Sequence, residues 1–234
     1  MPIPKEPGKI DRLSAKERIY QTLRDWIIEG VLTPNERLVD SDLCEYFSVS
    51  RTPVREAFQL LEAQRLIEIQ PGKATIVTDI DLNNLRECYL PMASIQGLVA
   101  ALACDNASER DIHELSRLNR VFADAVRSGQ TKSMLEADTA FHNRVIAMAG
   151  NQYLTDFSGT LSLHIQRMEY SYFHWTAATS QSVETHQALI EAISRNEPKS
   201  AEMLMKSNWL QTMAEVEKRL MADQAPVEHL PTWP

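Results

Sequence analysis

Val49-Ser50-Arg51-Thr52-Pro53-Val54-Arg55-Glu56-Ala57 is the stretch on which the reading of this chain turns. Arg51 and Arg55 stand four residues apart, which places both guanidinium groups on one face of a helix. Val54, Ala57, Phe58 and Leu61 recur at helical spacing and form the inward face. Ser50 can cap the helix, and Pro53 fits its first turn because N–H groups there have no intrahelical partner to lose. The spacing predicts a helix from Ser50 to about Gln64. In a major groove, each arginine could fork onto O6 and N7 of a guanine, with Ser50 and Thr52 reaching phosphate or a thymine methyl. The alternative is a solvated face on which the arginines pair with Glu56, Glu62 or Asp42.

Upstream, Ser14-Ala15-Lys16-Glu17 has the form of a capping box, followed by Ile19, Leu23, Trp26 and Ile27 as one apolar stripe and Gly30 as a stop. That predicts a helix over about 15–29. A short helix follows from Asp40 to Phe47, with Leu43, Cys44 and Phe47 inward and Ser48-Val49 as the turn. Downstream, residues 66–70 and 74–78 are β-prone and joined across Pro71-Gly72-Lys73, a hairpin whose tip could enter a minor groove. Three short helices and a hairpin make a winged helix-turn-helix over residues 1–78.

The 234 residues, 44% hydrophobic and 24% charged, suit a globular chain of one or two domains and exclude a disordered or fibrous one. None of the seven glycines stands in a phosphate-cradling pattern. The first ten residues have no apolar core, and the longest nearly apolar stretch, Gly97 to Cys104, falls short of the roughly 18 residues of a membrane span. Cys44, Cys88 and Cys104 lack metal spacing and read as reduced thiols, so a cytoplasmic protein without membrane attachment is expected. Net charge is −8, of which residues 79–234 carry −7, so any DNA-binding surface must be local.

From Asp79 onward the chain reads as a second, all-helical domain over residues 79–234. Helices are expected at about 81–104, 108–128, 131–149, 151–174, 181–196 and 198–221, and their short connections imply an antiparallel bundle. The tail from Val227 is expected to be loosely ordered. Asp138 and His142 are spaced i, i+4, which stacks a carboxylate and an imidazole on one helix face; His186 and Asn208 lie on the last two helices. By chemistry alone this is either a hydrogen-bonded Asp–His pair or the start of a metal site. A metallohydrolase or lyase would need a further acid–base residue beside the trio, which the sequence does not supply.

Gly30-Val31-Leu32-Thr33-Pro34, Glu36-Arg37-Leu38, Val49–Ala57, Leu60-Leu61 and the wing strand resemble the DNA-binding domain of GntR-family transcription regulators. The resemblance implies a palindromic operator contacted by Arg51, Thr52 and Arg55, with Gly72 leading the wing; the tip Ile69–Lys73 is similar to the fatty-acid-responsive FadR type. Asn35 stands where the family usually has glycine, a replacement asparagine tolerates through positive φ. Ser41 stands where the FadR type has a base-region arginine, so one DNA contact should differ.

Asp138, Phe141-His142, Ile146, Ala149-Gly150-Asn151, Leu154 and His186 resemble the FCD ligand-binding domain found in the FadR branch. In its metal-containing members an Asp and three His bind a divalent ion, which helps hold a small carboxylate effector. The resemblance carries over Asp138, His142 and His186, with Asn208 in place of the fourth ligand, which should weaken zinc or nickel binding. Where the family commonly shows R-x-x-L-E, this chain has Met92-Ala93-Ser94-Ile95-Gln96. Effector recognition is then expected to use Arg167, Gln96 or His164, unless Arg167 simply pairs with Glu169 or Asp156. Tyr170, Tyr172, Phe173, His174 and Trp175 could cover a pocket or meet a dimer partner. The family implication is a homodimeric, ligand-responsive repressor; the alternative is a metal-free regulator that binds a bulky apolar or acyl ligand.

Overall fold

In the computed structural model, residues 14–172 and 177–224 are described, and they divide into two compact units, the first of residues 14–27 and 31–79 and the second of residues 80–224 with the short segment 28–30. In the first, α1 (Ala15–Ile28) starts at a closed capping box. Ser14 N donates to Glu17 Oε2 at 2.8 Å and Glu17 N donates to Ser14 Oγ at 3.3 Å. α2 (Asp40–Phe47) ends on Ser48 at φ 53°, whose N–H reaches back to Cys44 and Glu45 carbonyls and turns the chain into α3 (Arg51–Ala63). Ser50 is the N-cap of α3 by backbone position but makes no side-chain capping bond, contrary to expectation; its side chain is exposed, so water can serve the hydroxyl instead.

β2 (Ile67–Gln70) and β3 (Ala74–Val77) form the hairpin, paired from Ile67 opposite Val77 to Gln70 opposite Ala74, with Gly72 at φ 71° in the turn. A strand that the sequence reading lacked, β1 (Arg37–Leu38), adds to the other edge of β3 and gives the order β1-β3-β2. Two residues carry no readable period; their pairing comes from Asn35, which takes φ 66° and lets its N–H reach the Val77 carbonyl at 3.0 Å. Leu23, Val54, Leu61, Leu66 and Val77 are sealed in the core that joins the three helices to this sheet, with Leu43, Cys44 and Phe47 packed at its margin.

The second unit comprises α4 (Leu82–Asn106), α5 (Glu109–Ser128), α6 (Thr131–Ala149), α7 (Gln152–Tyr172), α8 (Ala177–Ser194) and α9 (Pro198–Gln224). α4 begins at an Asp81/Asn84 capping box and α5 at a Ser108/Asp111 one, while Gly129 and Gly150 close α5 and α6 in left-handed conformations. α4 is apolar and long enough, by composition, to pass for a membrane span; here it is the central core helix, packed on α9, α6 and α7, and it continues through Pro91. α8 starts at Ala177 rather than at about residue 181, since Ala177-Ala178 are strong helix formers and extend it backward. The side chain of Tyr172, residues 173–176 and the tail from 225 lie outside the described residues, and with them most of the aromatic group and the expected loose terminus.

Candidate DNA-reading face and a buried polar cluster

α3 buries Val54, Ala57, Phe58 and Leu61, which fixes its opposite face in solvent with Arg51, Thr52 and Arg55 exposed upon it. Arg51 makes no ion pair among the described residues. Arg55 Nε meets Asp40 Oδ2 at 3.1 Å, so its partner is the first residue of α2 and not Glu56, Glu62 or Asp42. Ser41, next to Asp40, is exposed and donates to Asp42 Oδ1 at 3.1 Å. A cleft between α3 and the wing is lined by Arg55, Gln59, Gly72 and Lys73 among others. The wing tip is tied down from β1, where Arg37 donates to the Lys73 carbonyl at 3.3 Å; Gly72 and Lys73 themselves are exposed. Asp40 and Arg37 were not singled out as functional in the sequence; the only available signal was their nearness to the helix-turn-helix.

The second cluster lies inside the bundle. α6 supplies Asp138 and His142 and α8 supplies His186, which sits in mid-helix because α8 begins early. Asp138 Oδ2 is 3.6 Å from His142 Nε2 and Asp138 Oδ1 is 3.6 Å from His186 Nε2; the three candidate ligand atoms lie within 4.8 Å of one another. Asn208 arrives from α9, with Nδ2 3.4 Å from His142 Nε2. Packing holds the rings: Phe141 stacks on His186 at 3.9 Å and Trp209 lies 4.8 Å from His142.

Burial sets the charge states. It pushes His142 down to about 4 and His186 well below its ordinary value, the neighbouring His142 adding to the effect, so both rings are neutral. It lifts the Asp138 carboxyl to about 7. His142 Nδ1, both nitrogens of His186, Asn208 Oδ1 and Trp209 Nε1 are buried without a hydrogen-bond partner. Each such group costs about 1–3 kcal/mol unless satisfied. Two neutral imidazoles and a carboxylate with converging lone pairs are the donor set of a divalent cation, which would satisfy His186 Nε2 directly. The residues present therefore fit a metal.

Gln96 and Arg167 are buried in the bundle and His164 is half-buried. Gln96 Nε2 lies 3.5 Å from Ser158 Oγ, leaving its Oε1 without a partner. Glu169 does have a partner in Tyr89, whose hydroxyl donates to Glu169 Oε1 at 3.1 Å. Burial, together with the neighbouring Asp138 carboxylate, pushes the Glu169 carboxyl up to about 8. Nothing in the sequence signals this Tyr89–Glu169 bond, since an isolated tyrosine on an apolar helix reads as core.

A winged three-helix unit presenting two arginines, joined in sequence to a helical bundle with a buried polar cluster, defines the architecture of a one-chain transcription regulator. The FCD domain family matches residues 87–209, and the family of bacterial regulatory proteins, gntR family, matches residues 15–77. The chain belongs to the GntR-family transcription regulators that carry an FCD domain. The HTH-type transcriptional repressor RspR of Escherichia coli is 24% identical over 89% of this chain and 91% of that protein. The galactonate operon transcriptional repressor of the same organism is 29% identical over 81% and 91%. The solved structure of E. coli McbR/YncC matches with a TM-score of 0.75 at 20% identity, covering 88% of this chain and 99% of that one. A GntR regulator from Rhodococcus sp. RHA1 matches at 0.71 and 19%, covering 87% and 97%. The domains and the relatives are those of transcription regulators and not of enzymes.

Proposed function

We propose that this chain is a cytoplasmic, homodimeric repressor of the FadR type that grips a palindromic operator and is released or tightened by a small carboxylate bound in its helical domain, residues 79–234. The observation that carries the DNA half of this reading is the exposure of Arg51 and Arg55 on one face of a helix whose other face is sealed in the core. Arg51 and Arg55 read guanines, Ser50, Thr52 and Ser41 meet phosphate or adjacent bases, and Gly72 with Lys73 enters the minor groove. The exposed Arg55–Asp40 pair is no obstacle, because surface ion pairs are worth about 0–1 kcal/mol and exchange readily.

In the bundle, Asp138, His142, His186 and Asn208 would hold one divalent cation of the zinc or nickel class. A bound cation supplies positive charge for an effector carboxylate. Gln96, Arg167 and His164 then contribute the remaining polar contacts, in place of the arginine this chain lacks in α4. Effector control requires different affinities for two dimer geometries; loss of one arginine contact per half-site, each worth about 1–3 kcal/mol, is enough to release DNA. The test is selection from random-sequence duplexes with purified full-length protein. Enrichment of a two-fold-symmetric sequence with a guanine in each half-site is expected; recovery of unenriched sequence overturns the reading.

A further inference from the structure

Asn208 is 3% exposed on α9 and turns its Nδ2 toward His142 Nε2, while its Oδ1 is buried with no partner. Without a cation this orientation is sensible, because an N–H donor faces an imidazole lone pair. With a cation it fails on two counts: the lone pair is needed for the metal, and an amide N–H cannot ligate. The two ends of a carboxamide have nearly the same shape, so a half-turn of the amide exchanges them without disturbing the packing around it. After that turn Oδ1 stands where Nδ2 stood, on the side of His142 that also faces Asp138, and the orphaned oxygen gains a partner.

Competing donors are excluded by chemistry or place. Trp209 Nε1 beside His142 carries only a hydrogen. Glu169 is engaged by Tyr89 and stands outside the group of ligand atoms formed by Asp138, His142 and His186. We propose that Asn208 is the fourth ligand through Oδ1, giving a two-nitrogen, two-oxygen set that moves metal preference from Zn2+ toward Mn2+ relative to a histidine at the same position. Carbonyl and carboxylate oxygens are hard donors that suit Mn2+, whereas each imidazole favours the later metals. Zn2+ keeps the tighter absolute affinity, as the general order of divalent metals requires, so the change is in the ratio.

The inference rests on the metal reading above, and the experiment separates the two. Chelator-stripped full-length protein is titrated with Zn2+ by competition against a fluorescent chelator and with Mn2+ by loss of the free-ion paramagnetic resonance signal. Wild type is compared with Asn208→Ala, Asn208→Asp, Asn208→His and His142→Ala. Asn208→Ala is expected to weaken Mn2+ by at least about tenfold, the lower limit seen even for lost partners outside a ligand set. Asn208→Asp keeps Mn2+ binding, and Asn208→His raises the Zn2+/Mn2+ affinity ratio by a similar factor. If Asn208→Ala binds both metals like wild type while His142→Ala binds neither, the three-residue site stands and the role of Asn208 falls. If wild type binds neither metal, the metal reading itself falls and takes this inference with it. Circular dichroism checks folding; should Asn208→Ala not fold, the ratio in Asn208→His decides, and an unchanged ratio overturns the proposal.

Discussion

Arg51 and Arg55 on α3 and Asp138 and His142 on α6 share the same four-residue spacing, yet the first pair stands in water and the second inside a bundle. The contrast shows how little the spacing itself determines. On α3 the opposite face is the core, so the arginines stay hydrated and exchange solvent for a ligand at low cost. On α6 the bundle closes over the residues, and desolvation drives His142 to neutrality and raises Asp138. One arrangement suits a large polyanion approaching from outside; the other suits a small cation that supplies what burial has removed.

Because each unit has its own core, a lesion in one should leave the other intact. Phe58→Ala removes a buried ring from the winged unit and is expected to cost about 3–5 kcal/mol there. Calorimetry should show that unit's transition falling while the bundle's stays; a single transition falling as a whole breaks the comparison. Stripping metal acts the opposite way. At a metal concentration about a hundred times its dissociation constant, removal should lower the bundle's stability by about 2.7 kcal/mol and leave the winged unit's transition unmoved.

Glu169 sharpens the contrast through pH. In the unfolded chain it ionises near its ordinary 4.5, whereas in the fold it keeps its proton up to about 8. The unfolded state therefore sheds its proton first, and the contribution of Glu169 to stability falls as pH rises between those values, while the depressed His142 and His186 act in the opposite sense below about 6.5. The difference in denaturant midpoint between wild type and Glu169→Gln isolates the carboxyl: wild type should lose ground against the variant as pH rises, and a difference that does not change with pH would mean that the carboxyl is not held protonated. The smallest effect is expected at the α5 cap, where Ser108→Ala loses the two hydroxyl contacts with Asp111 but keeps the backbone N–H bond to its carboxylate, for about 1 kcal/mol. Chemical denaturation of that variant should move the bundle's midpoint alone.

Much of this was legible in the chain. The winged unit could be read because cap, stripe, turn and hairpin are local signals, and Ser14, Gly30 and Gly72 carry them individually. β1 could not, since a two-residue strand exists only through its pairing to Ile76 and Thr75. In the bundle, Asp138 and His142 announced themselves by spacing on one helix, but their approach to His186 and Asn208 depends on how α6, α8 and α9 pack, which no local pattern encodes. The Asp40 partner of Arg55 and the Tyr89–Glu169 bond were hidden for the same reason, being contacts across 15 and 80 residues of chain.

The most direct measurement is the affinity of wild type and Arg55→Ala for a duplex selected by the wild-type protein and for a scrambled duplex, at one salt concentration. A residue that reads a guanine should lose roughly tenfold or more on the selected duplex, following about 1–3 kcal/mol per contact, with little change on the scrambled one. Equal loss on both would make Arg55 a phosphate contact only, and unchanged affinity on both would contradict the assignment of α3 as the reading helix.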